Sequence, residues 1–442
     1  MRRHFLIVTI SIAMSSLSFC GEAVAQEDVD FDALKLADQL TVPEAAPSNW
    51  YTFFEVAAGD EQGRQSGSFQ PNQRLSIDVQ YDNSFTHDWR FIFADRLDGD
   101  NPAQPPAGRT INTIKETYFS WQAQDDLLVD IGRINDRNGV AFGYNPTDYL
   151  KTNAVRSAVS VDPASLKENR QGSVMMRIQS LSETSSTTLL YSPKLDSKSM
   201  NSGADYSSTN DARFSPDFSA TNNQNRWILS YSNKITNEFN PQVLVFQSEQ
   251  LPVQLGLNMT DLLNDSIVMY GEWSGGRSPS LLAQAERQLG QPYVDDTTFH
   301  QRVATGLTYT TSNKIAVTAE LDYNGNGFNH SQTYALSHQS NSFSQLVGQL
   351  GTWLQGAQEP TNKDSAFFYL SWQDVVIHHL DLSALQRWNI NDSSRLNWIE
   401  ARYHLAHSEF ALQWQRYSGS QFSEFGQVPQ TQSWLLLSRV YF

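Results

Sequence analysis

Side chains that alternate apolar and polar along a chain fit an extended strand whose two faces meet two different environments. This chain repeats that pattern about 18 times after residue 49, which constrains its fold more than any other feature. In Arg74 to Tyr81, Leu75, Ile77, Val79 and Tyr81 share one face, and Ser76, Asp78 and Gln80 share the other. In Arg302 to Tyr309, Val303, Thr305, Leu307 and Tyr309 alternate with Arg302, Ala304, Gly306 and Thr308. In Lys314 to Tyr323, Ile315, Val317, Ala319, Leu321 and Tyr323 alternate with Ala316, Thr318, Glu320 and Asp322. Further strands are expected near 50–58, 88–96, 114–122, 126–133, 172–181, 186–192, 225–233, 239–247, 252–260, 266–274, 365–373, 376–385, 395–405, 409–417 and 433–442.

The gaps between these segments are unequal in a regular way. Short ones at Asn83 to His87, Ala123 to Asp126, Ser182 to Ser185, Asn233 to Asn237, Thr310 to Asn313 and Ala406 to Ser408 alternate with long ones near 59–70, 97–112, 134–170, 193–224, 275–298, 324–364 and 418–432. Two gaps on the long side, near 248–251 and 386–394, are themselves short. A soluble sandwich has no reason to sort its loops by side, whereas a membrane barrel has short turns at one rim and long loops at the other. The predicted fold class is therefore all-β, a transmembrane antiparallel up-and-down barrel of 16–18 strands over residues 49–442. A mean hydropathy of −0.46 agrees with this, because half of each strand would face a wet lumen. No stretch after residue 25 reaches eighteen uninterrupted apolar residues, as a membrane-spanning helix would need. Trp89, Trp121, Trp227, Trp273, Trp414, Tyr81, Tyr309 and Tyr323 fall near strand ends, where amphipathic rings sit at the headgroup level.

The first 25 residues read as a signal peptide. Arg2 and Arg3 precede an apolar stretch from Phe5 to Met14, and Ala23-Val24-Ala25 places small residues for cleavage before Gln26. Lipid attachment at Cys20 is disfavoured by the bulky Phe19 before it. With Cys20 removed the mature chain has no cysteine, which excludes a disulfide framework and a thiol nucleophile. Residues 26–48 then form an acidic periplasmic N-terminal extension in which Phe31, Leu34, Leu36 and Leu40 make a weak helical stripe. The net charge is −16. Taking Arg2 and Arg3 from 31 basic residues and Glu22 from 47 acidic ones leaves 29 against 46, or −17. That balance argues against nucleic acid as a partner, since phosphate contacts need clustered Lys and Arg.

Two stretches carry a resemblance to known proteins. The closing segment Trp434 to Phe442 sets Trp434, Leu436 and Val440 on the face of a terminal Phe442, and is similar to the assembly signal of bacterial outer-membrane barrels. Ile131-Gly132-Arg133-Ile134-Asn135 followed by Gly143-Tyr144-Asn145-Pro146-Thr147-Asp148 resembles porin-type barrels, including the alginate-export-like group. The resemblance implies location in the Gram-negative outer membrane. It implies outer-membrane lipids, lipopolysaccharide and the barrel-assembly machinery as partners. It also implies that the third long loop, 134–170, folds inward to narrow a pore.

The residues of that loop make an independent case. Arg137, Lys151, Arg156, Lys167 and Arg170 stand beside Asp136, Asp148, Asp162 and Glu168, a local basic excess in an acidic chain, and Arg133 just before the loop joins them as a candidate constriction residue. Gly139, Gly143, Pro146 and Pro163 supply the turns of a compact loop. Opposed charges across a constriction orient polar solutes and set ion preference. Alternation adds Arg90, Arg96, Glu116, Asp130, Arg177, Arg226, Glu272, Arg302, Glu320, Asp322, Glu400, Arg402 and Arg439 as candidate pore-wall residues, each of which could equally be plain hydrated wall.

Leu346, Leu350, Trp353 and Leu354 in the 324–364 gap have near-helical spacing, suited to packing against neighbouring loops. His378 and His379 are expected to be adjacent in a strand, pointing to opposite faces, with Asp381 on the face of His379. No zinc spacing, nucleophile elbow or phosphate loop is present, so neither metal, cofactor nor catalysis is expected. The expected function is passive diffusion of small hydrophilic or ionic solutes. The rivals are an export conduit for a polysaccharide or other secreted product, and a non-transport barrel acting as adhesin or lipid-modifying enzyme. Nothing in the sequence chooses between monomer and trimer.

Overall fold

The computed structural model describes residues 49–101, 109–157, 159–196, 217–236, 239–288, 294–329, 331, 353–354, 356–421 and 423–442. The predicted signal peptide, the N-terminal extension, Leu346 and Leu350 lie outside the described residues. Eighteen strands follow in order: β1 (Trp50–Gly63), β2 (Phe69–Ser84), β3 (Trp89–Asn101), β4 (Arg109–Gln124), β5 (Leu127–Ile134), β6 (Ser173–Leu181), β7 (Ser185–Ser192), β8 (Arg226–Asn233) and β9 (Gln242–Ser248). Then come β10 (Gln254–Asn264), β11 (Ile267–Ser278), β12 (Thr298–Thr310), β13 (Ile315–Asn324), β14 (Asp364–Trp372), β15 (Leu380–Asn389), β16 (Arg395–His404), β17 (Ser408–Ser418) and β18 (Gln430–Tyr441). Each pairs antiparallel with its sequence neighbours, and β1 pairs with both β2 and β18, so the sheet closes on itself without an edge. Closure removes the unpaired backbone groups that an open edge would expose.

Burial is inverted relative to a soluble protein. On β2 Leu75 is 47% and Ile77 40% exposed, whereas Ser76 and Asp78 between them are buried. Leu229, Leu255, Leu307, Ile399 and Leu412 are likewise exposed on one face of their strands. The outward face is thus apolar and the inward face polar, as required of a barrel whose solvent is lipid outside and water inside. Aromatic pairs collect near strand ends: Trp50 and Tyr81 (4.4 Å), Trp89 stacked on Trp121 (5.7 Å), Trp414 beside Trp434 (6.0 Å).

The short gaps are turns at one rim, and the opposite rim carries the longer connections. Several strands outrun their alternation on the long-loop side. β1 continues to Gly63 and β2 starts at Phe69, so the gap expected at 59–70 shrinks to 64–68. β3 likewise runs to Asn101 and β4 starts at Arg109. Beyond the apolar band both faces are polar, so the backbone ladder continues where the pattern that betrays it has faded. One expectation fails. His378 and His379 are not in a strand but in the turn 373–379, where Asp374, Val376 and His379 have positive φ. The apolar run Val375–Val376–Ile377 imitates a strand, yet the chain reverses there, held by Lys314 against Asp374 and by the His379 N–H donating to Asp374 Oδ1 (2.8 Å). Asp381 faces His404 instead, 3.2 Å from its Nε2.

Candidate functional site

The connection between β5 and β6, residues 135–172, makes its contacts on the polar face of the sheet. Two carboxylates on neighbouring strands receive it. Glu320 of β13 accepts the N–H groups of Phe142 (2.8 Å), Gly143 (3.0 Å) and Tyr144 (2.9 Å), with the Tyr270 hydroxyl donating at 2.7 Å. Glu272 of β11 accepts Ala141 N–H (2.7 Å), Thr147 N–H (3.2 Å), Thr147 Oγ1 (3.1 Å) and Asn145 Nδ2 (3.0 Å). Successive backbone N–H groups curved around an oxygen form an anion-binding concavity. Both carboxylates are buried, and these donors take the place of water. The approach demands glycine twice. A Cβ on Gly143 would stand 2.7 Å from the Phe367 ring, and Gly139, at φ +100°, would place one 2.5 Å from Glu272 Oε1. Phe142, Tyr144, Tyr270, Phe367 and Tyr369 close over the turn as one buried cluster.

Most charges expected to line a constriction are tied to partners. Arg170 chelates Asp148, with Nη2 at 3.2 Å from Oδ1. Lys151 reaches Glu359 at 3.0 Å and lies 4.5 Å above the Tyr144 ring. Arg156 meets Asp217 at 3.4 Å, and Asp136 meets Arg177 at 3.3 Å. Asp162 caps the short helix α1 (Pro163–Glu168) by accepting Ser165 N–H (3.0 Å), and burial pushes its carboxyl up. Lys167 donates to Ala141 O (3.0 Å), and Glu168 stands 3.9 Å from Lys115. Arg137 differs: it is exposed and makes no hydrogen bond among the described residues, and its charge acts on Glu116. Arg133 is placed elsewhere. It shares the outward face of β5 with Ile131 and is covered by Phe218, whose ring is 5.3 Å from the guanidinium.

The candidate wall residues form two groups. Around the β1–β18 seam runs a continuous ionic arc. Asp98 holds Arg96 (3.0 Å), which reaches Glu55 (3.0 Å); Glu55 also takes Arg74 (2.8 Å) and Arg439 (2.8 Å). Arg439 continues to Glu409 (2.8 Å), then Arg402 (2.9 Å) and Glu400 (2.7 Å). Lys115 joins the arc through Asp78 at 2.7 Å. Elsewhere Arg177 pairs with Asp130 (2.9 Å), Glu116 accepts Asn135 N–H (3.3 Å), and Asp322 accepts from Ser365 (3.2 Å). Arg302 bonds Ser274 (2.8 Å) and approaches Glu359 (3.7 Å). Arg90 pairs with Asp82 in the open at the short-turn rim, and Arg226 is buried on β8 with Nε and Nη2 unbonded. Phe442 leaves its ring 80% exposed while its N–H donates to Thr52 O (2.9 Å).

A cavity of about 580 Å³ lies between the inserted segment and the wall from β13 to β18 and β1. Its lining mixes aromatic rings (Phe142, Tyr144, Phe367, Tyr417, Phe425) with Lys151, Arg387, Asp322, Glu359 and Glu424. Arg387 points inward over Phe367, 5.5 Å from its ring, and has no hydrogen bond among the described residues. Glu424, in the connection between β17 and β18, is pushed up to about 7 by burial; Asp392 adds to the rise and the Asn389 amide opposes it.

Glu55, Arg74, Asp78, Asp98, Lys115, Arg387 and Glu409 all face this interior and were not among the expected wall residues. Alternation alone would have yielded Asp78 and Asp98. Glu55 is hidden because its inward neighbours Phe53 and Ala57 are apolar. Lys115 is hidden by a β-bulge: Ala94 pairs with Glu116 and Asp95 with Ile114, so Lys115 and Glu116 both turn inward.

No protein-family model and no curated protein matches the chain. Solved structures do. OccAB1 of Acinetobacter baumannii is similar over 89% of this chain and 96% of its own, with 12% identity and a TM-score of 0.54. OpdL of Pseudomonas aeruginosa is similar over 90% and 99%, with 12% identity and a TM-score of 0.54. OpdQ of the same organism follows over 89% and 99%, with 10% identity and a TM-score of 0.52. The chain therefore has the fold of the Occ and Opd outer-membrane porins, a closed barrel of eighteen antiparallel strands.

Proposed function

We propose that this barrel is a passive diffusion channel of the Gram-negative outer membrane, admitting small hydrophilic or ionic solutes. Segment 135–172 is its constriction. The observation that supports the reading is the docking of that segment's backbone on Glu272 and Glu320, two buried carboxylates on the polar face of a closed barrel. Opposed charges survive beside it: Arg387 makes no hydrogen bond among the described residues and faces the same cavity as Asp322 and Glu424. Such a lining favours ions and polar solutes over apolar ones. The short-turn rim would face the periplasm and the long loops the exterior. Residues 1–25 would direct export and 26–48 would remain in the periplasm. Sequencing the mature N-terminus should return Gln26 first.

Conductance in planar bilayers tests the reading. Purified barrel should give stable single-channel steps that scale with salt concentration. A folded, inserted barrel that conducts no ions would overturn it.

A further inference from the structure

Two cations stand on the wrong side of the wall for a pore. Arg395 of β16 and Arg416 of β17 are both exposed, and both share the outward face with Ile399 and Leu412. Register makes them diagonal neighbours: Arg395 pairs with Ser418, and Asn397 with Arg416. Diagonal cross-strand side chains are close enough to hold one ligand between them. Neither guanidinium makes a hydrogen bond or ion pair among the described residues; Arg395 lies 5.1 Å from the Trp388 ring. The acids of the same strands, Glu400 and Glu409, point inward and are bonded to Arg402 and Arg439.

Their height on the barrel matters as much as their charge. Both are within two residues of the long-loop end of their strands. Trp414, paired with Trp434 at 6.0 Å, lies two residues closer to the middle, where an aromatic girdle marks the edge of the hydrocarbon. Two residues of strand put Arg416 roughly 7 Å beyond that edge, and Arg395, level with Ser418, stands roughly 13 Å beyond it, so the two span the headgroup layer. Two other outward arginines near this rim are occupied or covered. Arg277 donates to Thr297 O (3.2 Å), and Arg133 lies beneath Phe218.

We propose that the outward face of β16 and β17 at this rim binds the phosphate-bearing headgroup of an outer-leaflet glycolipid, held by Arg395 and Arg416 and seated on the tryptophans below. A planar guanidinium meets a phosphate through two parallel hydrogen bonds, and a pair of them spans a headgroup better than a point charge does. In a chain of net charge −16, two cations with no ion pair among the described residues at a lipid-facing rim are complementary to the anionic headgroup layer. The assignment rests on the outer-membrane reading but not on conduction.

The test uses the full barrel in mild detergent, with purified lipid A as probe and native mass spectrometry as readout. Wild-type protein should retain lipid A, and R395Q/R416Q should retain roughly tenfold less. R277Q should retain the wild-type amount. The heat-dependent gel shift of the same R395Q/R416Q preparation should equal wild type, which verifies folding without conduction and separates this inference from the channel reading. Equal retention by R395Q/R416Q and wild type would sink the proposal. So would equal retention of phosphatidylethanolamine, or displacement of lipid A by millimolar inorganic phosphate, which would assign the arginines to a soluble anion.

Discussion

Glu320 receives three consecutive backbone N–H groups and a tyrosine hydroxyl, with no cation bonded to it among the described residues. Removing such an acceptor strands buried donors at about 1–3 kcal/mol each, so Glu320→Ala should release the inserted segment rather than leave it docked. Single-channel conductance is expected to rise roughly twofold, and an unchanged conductance would mean the segment does not narrow the pore. On the channel reading, selectivity would belong to the cations that make no hydrogen bond among the described residues. Arg137→Ala and Arg387→Ala should shift the reversal potential in a salt gradient toward cations, whereas Arg133→Ala, lying on the outer face, should leave it unmoved. Glu424 adds a pH dependence. Its folded value of about 7 exceeds the ordinary 4.5, so the proton it holds stabilises the loop fully below about pH 4.5, and this contribution is lost as pH climbs through about 7. The same ionisation adds negative charge to the cavity, so cation preference should increase between about pH 6 and 8, and Glu424→Gln should flatten that profile.

At the scale of the element, the ladder is legible and its details less so. Every expected strand is present because lipid on one side and water on the other impose a strict two-residue period on the sequence. Strand ends are blurred where both faces are wet, as at Gly63 and Asn101. The bulge at Lys115 inserts one residue and reverses parity, so simple counting selects Glu116 and misses its neighbour. The pairing of charges is also invisible to counting, because Glu55 meets Arg439 only once the first and last strands lie side by side. That meeting carries energy. Glu55 answers three arginines, and leaving buried charge unanswered costs about 3–5 kcal/mol, so Glu55→Ala should lower the temperature at which the folded gel band converts to the unfolded one. Glu55→Ala combined with Arg439→Ala should recover part of that loss. Equal conversion temperatures for Glu55→Ala and wild type would show that the arc does not secure the seam.

For the molecule as a whole, the barrel and the segment docked on Glu272 and Glu320 are built on different sequence ranges. Strand pairing is local, neighbour to neighbour, except at the single β1–β18 join. The inserted segment instead depends on side chains far downstream: Ala141 is bonded to a residue 131 positions later and Phe142 to one 178 positions later. Contacts over such separations form after local ones. The cradle for the turn at 141–147 does not exist until β11 and β13 have taken their places, so the early strands carry an undocked flap. If the channel reading holds, docking and closure are separate acts, and a wall completed without its flap in the cradle would be a hole of the wrong size.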